Sequence, residues 1–297
     1  MNEKKMIENF VQLIRRASTD LPRDIEKALE SAGRRESGVA GQAVGVILEN
    51  IRLARRDSVP LCQDTGLHTW TVHHPFTWDA EKIRSWILEA TVRATSAGLL
   101  RPNAVDPVTG ANSGNNTGIA HPMIELAAWK RNYLTAGLLL KGGGSENVSS
   151  QVSLPDTGIG AGRDIEGVKR AALKIVLAAQ GRGCAPGIVG LCAGGDRQTG
   201  YRIAKAQLKR PLDDRNPDPA LARLEKSILE AANALGIGPM GFGGKTTLLG
   251  VKAARAARHP ACYFVTVAYG CWALRRWNLK IDAGGRLPVF SQKPFNG

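Results

Sequence analysis

Val59-Pro-Leu-Cys-Gln-Asp-Thr-Gly66 is the stretch around which the chain is organised. It places a thiol, a carboxamide, a carboxylate and a hydroxyl at four consecutive positions, Cys62 to Thr65, between a helix-ending proline and a glycine that permits a tight turn. A thiolate beside an acid is electrostatically unfavourable unless a positive group, such as a metal ion or cluster, lies against both. The stretch therefore predicts one wall of a metal site.

Three helices are predicted ahead of this stretch and form a helical lead-in over residues 1–57. Apolar residues at i, i+3, i+4 and i+7 predict the first over residues 4–17. The second is predicted over residues 21–32, where a glycine ends it, and the third over residues 38–55. The residues predicted to face inward are Ile7, Phe10, Val11 and Ile14 in the first helix, and Val39, Ala43, Val46, Ile47 and Ile51 in the third.

The chain after this stretch mixes strand and helix patterns over residues 58–281, and an irregular tail is predicted over 282–297. The pattern shows no domain boundary, so we expect a single domain. A polar loop over residues 100–118 is too long for a simple connection, which is typical of a functional segment. Strands are predicted at 68–73, 133–140 and 262–269, and helices at 78–96, 165–180 and 220–235.

The composition is that of a packed globular protein, with 43% apolar and 22% charged residues in a chain of 297. The N-terminus carries charges where a signal peptide needs an apolar core, and no stretch is apolar enough for a membrane span, so we expect a cytoplasmic protein. A net charge of +14 suits anionic substrates or an acidic partner. Because the basic residues are scattered and only 5% of residues are aromatic, we expect no nucleic-acid binding.

The five cysteines are an odd number at wide spacings without a CxxC pair, so a disulfide framework is not expected. Cys62, Cys184 and Cys271 each follow a helical or apolar segment near glycine or proline, which favours loop positions open to a metal. Cys192 and Cys262 lie among large apolar residues and are predicted to be buried. Three thiolates suit a cubane iron–sulfur cluster with one open iron, and plain structural cysteines are the alternative that spacing leaves open.

Two glycine-rich segments bear on ligand binding, and one of them invites a phosphate-loop interpretation. Residues 236–247 contain Gly-Lys-Thr, but a Walker loop needs a glycine at position 239, which is proline. In Lys141-Gly-Gly-Gly-Ser-Glu-Asn147, three glycines after a strand allow backbone N–H groups to approach a ligand closely. The sequence therefore predicts backbone contacts to a small ligand and no nucleotide site.

Several segments, in order over about residues 40–277, resemble the class I, iron–sulfur-dependent fumarate hydratase family, which includes tartrate dehydratase. They are Pro60-Leu-Cys-Gln-Asp-Thr-Gly66, Arg101-Pro-Asn-Ala-Val-Asp106, Lys141-Gly-Gly-Gly-Ser-Glu-Asn147, Cys184-Ala-Pro-Gly187, Gly236-Ile-Gly-Pro239, Arg258-His-Pro260 and Gly270-Cys-Trp-Ala-Leu-Arg-Arg276. The resemblance implies an α+β fold, in which the helical N-terminal part packs on antiparallel or mixed sheets surrounded by helices.

The resemblance also implies the site. Cys62, Cys184 and Cys271 would ligate a [4Fe-4S] cluster whose open iron acts as a Lewis acid on the substrate hydroxyl. The residues implied to face the substrate are Gln63, Asp64, Arg101, Gly142, Gly143 and Gly144, with His259 nearby. Asp64 could move a proton at the leaving oxygen or orient Gln63 and the substrate. His259 could shuttle a proton or only fix the turn in which it lies.

The implied activity is that of a hydro-lyase of the tricarboxylic acid cycle, fumarate hydratase, which interconverts (S)-malate with fumarate and water. The Gly-Gly-Gly-Ser-Glu-Asn form favours this dicarboxylate substrate over tartrate. The chain resembles only the α part of the family, so we expect a separate β subunit and an α2β2-type oligomer. A tartrate or related hydroxy-diacid dehydratase is the alternative enzyme, and a non-catalytic iron–sulfur or redox-sensing protein is the alternative of another class.

Overall fold

The computed structural model describes residues 2–282, 284 and 288–295. Its helices and strands confirm the α+β prediction, because each of two compact units contains one mixed sheet. Unit 1 comprises Met1–Pro22, Asn50–Gly142 and Ala273–Gly297, and unit 2 comprises Arg23–Glu49 and Gly143–Trp272. Because the chain passes between the units several times, no linker marks the division, and the sequence offered no boundary to find.

Unit 1 is built on a five-stranded sheet with the order β2-β1-β3-β8-β9, in which only β1 and β2 are parallel. Apolar residues of α1 and α4 meet one face of this sheet, and the Phe10 ring stands edge-on to Trp70 at 5.8 Å between centroids. The elements of unit 1 are α1 (Glu3–Thr19), β1 (Leu67–Pro75), α4 (Ala80–Ser96), β2 (Met123–Trp129), β3 (Tyr133–Lys141), β8 (Arg275–Asp282) and β9 (Val289–Ser291).

Unit 2 is built on a four-stranded sheet with the order β4-β7-β5-β6, in which β5 is parallel to β6 and antiparallel to β7. Every residue of β5 is buried, since α6 and α8 contribute apolar side chains to the same core. The elements of unit 2 are α2 (Arg23–Gly33), α5 (Gly143–Asn147), β4 (Ser150–Ser153), α6 (Ile165–Ala179), β5 (Gly187–Gly194), α7 (Arg197–Gln207), α8 (Pro219–Ala234), β6 (Leu248–Ala256) and β7 (Phe264–Gly270).

The predicted lead-in helices are confirmed, but the inward face predicted for the third is partly wrong. In α3 (Gly38–Asp57), Val39 is 58% exposed and Val46 is 70% exposed, whereas Ile47 and Ile51 are buried as expected. The buried stripe combines these two with Ala40, Val44 and Ala54. Apolar residues in this helix form two overlapping stripes, one beginning at Val39 and one at Ala40. Only the stripe that begins at Ala40 is buried.

The strands β2, β5, β6 and β8 were not predicted, because their glycines, alanines and charged residues hide the alternation. The tail predicted to be irregular contains β9, which pairs antiparallel with β8; residues 283, 285–287 and 296–297 of that tail lie outside the described part. None of the described helices is long and apolar enough to span a membrane.

Candidate active site

The segment that carries Gln63 and Asp64 is a bend held by hydrogen bonds within unit 1. The Gly66 N–H donates to Asp64 Oδ1 at 2.9 Å, which closes a short turn. Gly66 adopts a φ of +87°, and a Cβ at this position would lie 2.9 Å from the Lys141 backbone. Glycine is therefore required here on two grounds, as the sequence predicted for a tight turn.

Thr65 connects this segment to the long polar loop. Its buried hydroxyl oxygen accepts hydrogen bonds from the Arg101 N–H at 3.1 Å and from Asn103 Nδ2 at 3.2 Å. The fully buried Asn116 then fixes the start of the loop: its amide donates to the Arg101 carbonyl at 2.5 Å and accepts from the Asn103 N–H at 2.7 Å. The loop is therefore an ordered wall whose first residues are bound to the segment that precedes β1.

A cavity of about 490 Å³ lies between this segment and the loop. The structure thus brings together Gln63, Asp64 and Arg101, which the sequence proposed as substrate-facing residues. An amide, a carboxylate and a guanidinium around one cavity can bind both oxygens of a carboxylate and act on a nearby proton. The residues that line the cavity are Gln63, Asp64, Arg101, Pro102, Asn103 and Asn112.

Two of the proposed cluster ligands, Cys184 and Cys271, lie close together in unit 2. The Trp272 N–H, next to Cys271, donates to the Cys184 carbonyl at 3.2 Å. The pKa of Tyr269 is raised, first by burial and then by the Cys271 and Cys184 side chains. Cys184 adopts a left-handed φ of 54°, which turns the chain away from the preceding helical turn.

The other cysteines divide differently from the prediction. Cys192 is buried in β5, and burial raises the pKa of its thiol to about 11, so it is a small core residue as expected. Cys262 was predicted to be buried, and this is wrong: it is exposed in the turn that precedes β7. Its apolar neighbour Phe264 begins the strand, whereas the cysteine and Tyr263 precede it.

The donor chemistry of the three proposed ligands fits an iron–sulfur cluster. Cys62 is a half-buried thiol in the bend of unit 1, and Cys184 and Cys271 are the pair in unit 2; none of the three forms a disulfide. Over residues 2–282, 284 and 288–295, the structure shows no group of three or more His, Cys, Asp or Glu side chains that could hold a metal ion. The ligand set therefore remains a prediction that rests on residue type and on the pair in unit 2.

The glycine-rich segment forms a short helix, where the sequence suggested a loop. Gly142 is buried at the end of β3, and Gly143 and Gly144 begin α5. Among the described residues, a Cβ added to Gly144 would meet only the Arg182 carbonyl, at 3.8 Å, so packing against them does not require glycine there. Gly144 also lines a second cavity of about 490 Å³ in unit 2, which leaves room for a ligand beside its backbone.

His259 lies in the turn between β6 and β7. Its Nδ1 accepts a hydrogen bond from the Ala261 N–H at 3.1 Å, so the neutral ring carries its proton on Nε2. Cys271 follows the other end of β7, and a strand of seven residues spans about 20 Å, so unit 2 does not bring the two residues together. The hydrogen bond matches the turn-fixing role, and the proton-shuttle role stays a prediction.

Sequence reasoning gave no role to Arg275 and His68, both of which are buried in unit 1. The Arg275 Nη2 donates to the Asp64 carbonyl at 2.9 Å. Burial, followed by the nearby charges of His121 and Arg275, lowers the pKa of His68 to about 3, so this imidazole is neutral. The signal in the sequence that could have drawn attention to Arg275 is the pair of adjacent arginines that directly follows the apolar run Trp272-Ala-Leu274.

The family model described as Fumarate hydratase (Fumerase) matches residues 7–280, which is most of the chain. The chain belongs to the fumarate hydratase family. This confirms the resemblance inferred from the motifs. The match includes both units and all the residues proposed for the site.

Relatives within the fumarate hydratase family carry two kinds of name. A putative fumarate hydratase class I of Geobacillus stearothermophilus is 46% identical over 284 residues, and the match covers 94% of this chain but only 55% of that relative's length. A putative L(+)-tartrate dehydratase subunit alpha of Methanocaldococcus jannaschii is 36% identical, covering 94% of this chain and 99% of the relative. The L(+)-tartrate dehydratase subunit alpha of Escherichia coli K12 is 30% identical, covering 94% and 90%.

Proposed function

We propose that this chain is the α-type catalytic part of an iron–sulfur hydro-lyase, and that its reaction is the reversible dehydration of (S)-malate to fumarate. The observation that carries the proposal is the cavity of unit 1, in which Gln63, Asp64 and Arg101 meet in a chain of the fumarate hydratase family. The positive charge of +14 also suits a dianionic substrate.

Arg101 binds a substrate carboxylate in this proposal. Its main chain is fixed on both sides, by Thr65 at the N–H and by Asn116 at the carbonyl, while its side chain is exposed at the cavity. A guanidinium on a fixed backbone can form two parallel hydrogen bonds to one carboxylate, which orients the substrate. Gln63 donates a further hydrogen bond, and the backbone of the Gly142–Gly144 segment contacts the second carboxylate.

Asp64 is a candidate for two roles in this proposal. Its carboxylate accepts the Gly66 N–H, and its position at the cavity suits either the transfer of a proton to the leaving oxygen or the orientation of Gln63. Proton abstraction beside a carboxylate builds negative charge on a group that is already anionic. The cationic Arg101 offsets that charge in either case.

Cys62, Cys184 and Cys271 would hold a [4Fe-4S] cluster through their thiolates. When bound, such a cluster with three protein ligands supplies an open iron, which as a Lewis acid polarises the C–O bond of a substrate hydroxyl. The pair in unit 2 supports this assignment, since Cys184 and Cys271 are adjacent and lie at segment ends. His259 remains the second candidate for proton transfer, although its Nδ1 is bound within its own turn.

A tartrate dehydratase is the second candidate function. Two relatives that are named as alpha subunits are matched over at least 90% of their length, whereas the fumarate hydratase relative is matched over 55% of its length. The matched region therefore corresponds better to the tartrate dehydratase alpha subunits than to the fumarate hydratase relative in length. The higher identity, 46% against 36%, favours fumarate hydratase. We also propose a cytoplasmic complex with a separate β-type chain, of α2β2 type, because the relatives of matching length are named subunits.

The test is a substrate assay of the reconstituted complex. The chain is co-expressed with a β-type chain of the same family, reconstituted anaerobically with iron and sulfide, and assayed for hydration and dehydration with malate, fumarate and L(+)-tartrate. We expect about four irons per chain, a broad absorbance at the blue end of the visible range, and turnover of malate above that of tartrate.

Variants separate the parts of the proposal. Cys62→Ser, Cys184→Ser and Cys271→Ser should each lower the iron content, whereas the matched control Cys262→Ser should not. Iron that is unchanged in all three ligand variants would exclude the proposed ligand set. Preferential turnover of tartrate would replace the first candidate by the second, and a complex that retains its cluster without turning over any diacid would indicate a non-catalytic iron–sulfur protein.

A further inference from the structure

Arg275 is a fully buried arginine at the start of β8, with 0% of its surface exposed. Its Nε donates to the Ala273 carbonyl at 2.9 Å, and its Nη2 donates to the Asp64 carbonyl at 2.9 Å. Its buried Nη1 has no hydrogen-bond partner among the described residues. One side chain thus joins two backbone segments that are far apart in the sequence.

The sheet explains how Arg275 reaches this position. His68 on β1 is in register with Leu140 on β3, and Leu140 is in register with Arg275 on β8. Residues in one row of a sheet point to the same face, so Arg275 and His68 lie on the face that carries the apolar core of unit 1. From this position the long side chain reaches the carbonyl of Asp64, in the segment that precedes β1.

The charge of Arg275 is not compensated in the usual way. No carboxylate pairs with it in the part of the chain that the structure describes, and the adjacent His68 is neutral. Burying a cation without a partner is costly, so a core position would favour an apolar residue unless the guanidinium has another role. A lysine or glutamine could not replace it easily, because only the planar fork of arginine reaches two carbonyls at once.

We propose that Arg275 is a positioning residue of the candidate active site: it holds the Asp64 peptide and thereby directs Gln63 and Asp64 toward the substrate cavity. The segment is then fixed from two sides, by Arg275 at the Asp64 carbonyl and by the loop at the Thr65 hydroxyl. This inference rests on the proposed function for its kinetic consequence, but not for its structural one.

The first test is hydrogen exchange, which needs neither cluster nor substrate. In Arg275→Lys and Arg275→Gln, the Gly66 amide, which donates to Asp64 Oδ1, should exchange about tenfold faster than in the wild type. Amides of β5 in unit 2 should keep their protection. Arg210→Lys is the matched control, because Arg210 is a largely buried arginine of unit 2 that should leave the Gly66 amide unchanged.

The second test is kinetic and uses the complex with the β-type chain. A displacement of Asp64 by about 1 Å should lower kcat up to about 100-fold, whereas KM for malate should stay within about threefold, because Arg101 still binds the carboxylate. A loss of folded protein alone would lower the concentration of active enzyme and would leave the pH profile of kcat unchanged. A displaced Asp64 should shift that profile.

A third test uses only the wild-type protein, so it remains informative if the Arg275 variants do not fold. In the wild type, the Gly66 amide should exchange through the same opening reaction as the amides of β8 when urea is increased. Exchange of Gly66 that is independent of β8, or variants with unchanged exchange or unchanged kcat, would overturn the proposal. A wild-type complex that turns over no diacid would instead contradict the proposed function, and the exchange data would still decide whether Arg275 holds the Asp64 segment.

Discussion

Arg210 in unit 2 and Arg275 in unit 1 are both largely or fully buried, but they have opposite surroundings. Arg210 donates to both oxygens of Asp214 at 2.8 and 2.9 Å, and to Glu225 at 3.1 Å. The same Asp214 also pairs with the buried Lys252 at 2.5 Å. Arg275 has two backbone carbonyls and no described carboxylate. One arginine belongs to a neutralised network, and the other carries a buried charge without a counterion.

The difference shows how to separate structural from functional charges in this protein. Around Arg210, burial raises the pKa of Asp214, but hydrogen bonds from Arg210 and Lys252 outweigh it and the pKa lies below its usual value. Such a network stabilises the loop between α7 and α8, and its charges are paired without a ligand. A buried charge that its own protein leaves without a counterion is expected where the charge or its hydrogen bonds serve a site.

The largest expected effect is on kcat, and it follows from replacing the aspartate that Arg275 contacts. The aspartate that Arg210 contacts serves as the comparison. Asp64→Asn should lower kcat of the reconstituted complex by a factor of about 100 to 10,000 if Asp64 transfers a proton, with little change in stability. Asp214→Asn should cost about 2–3 kcal/mol of unfolding free energy and leave kcat per folded molecule unchanged. Steady-state kinetics and urea unfolding of both variants measure the two effects.

The outcome also decides the role of Asp64. A decrease of less than about tenfold for Asp64→Asn, at unchanged stability, would indicate that Asp64 only orients Gln63, since asparagine keeps the shape and the hydrogen-bonding oxygen. A large loss of stability in Asp64→Asn together with wild-type kcat would reverse the comparison. In that case the hydrogen bonds around Asp64 would stabilise unit 1 and would have no part in catalysis.

The sequence predicted the first helix and the turn at Gly66 because their signals were local. The inward residues of α1 follow one clear stripe, and the bend at Gly66 needs glycine for its φ alone. The meeting of Asp64 with Arg101 was inferred from the resemblance to a family. Residue type and chain order were enough in these cases, since the contacts lie on segments with characteristic composition.

The features that the sequence did not predict depend on contacts with distant residues. β5 contains three glycines and was not predicted as a strand; a Cβ at Gly187 would lie 2.2 Å from the Tyr269 hydroxyl, so its glycine makes room for a ring on another strand. The bond from Arg275 to Asp64 joins residues separated by 211 positions. No local pattern indicates such a partner, and the register of β1, β3 and β8 is needed to find it.

The second expected effect concerns the pH dependence of unit 1. Burial first, and then the charges of His121 and Arg275, lower the pKa of His68 from 6.5 to about 3. Between these values the unfolded chain binds a proton that the folded chain does not bind, so stability is complete above pH 6.5 and falls as pH decreases. The expected slope is about 1.4 kcal/mol per pH unit.

Replacing His68 tests this directly. His68→Gln removes the titrating group, so its unfolding free energy should change less between pH 6.5 and 4.5 than that of the wild type, by about 2–3 kcal/mol. Urea unfolding at several pH values measures the difference. Parallel curves for His68→Gln and the wild type would mean that His68 is protonated in the folded chain, and that Arg275 lies in a more polar environment than its burial indicates.

The smallest expected effect comes from replacing a third arginine. This arginine is paired with a carboxylate, as Arg210 is, but it is not buried. Arg93 in α4 forms an ion pair with Glu89 at 2.7 Å, one helical turn earlier, and both side chains are almost half exposed. Water and salt screen such a pair, so Arg93→Gln should cost only about 0.3–0.5 kcal/mol and leave kcat unchanged. Thermal unfolding at low and high salt measures it, and the small cost should disappear at high salt. A loss as large as that of Asp214→Asn would show that pairing, and not burial, sets the energetic weight of these arginines, and the argument from the buried charge of Arg275 would lose its basis.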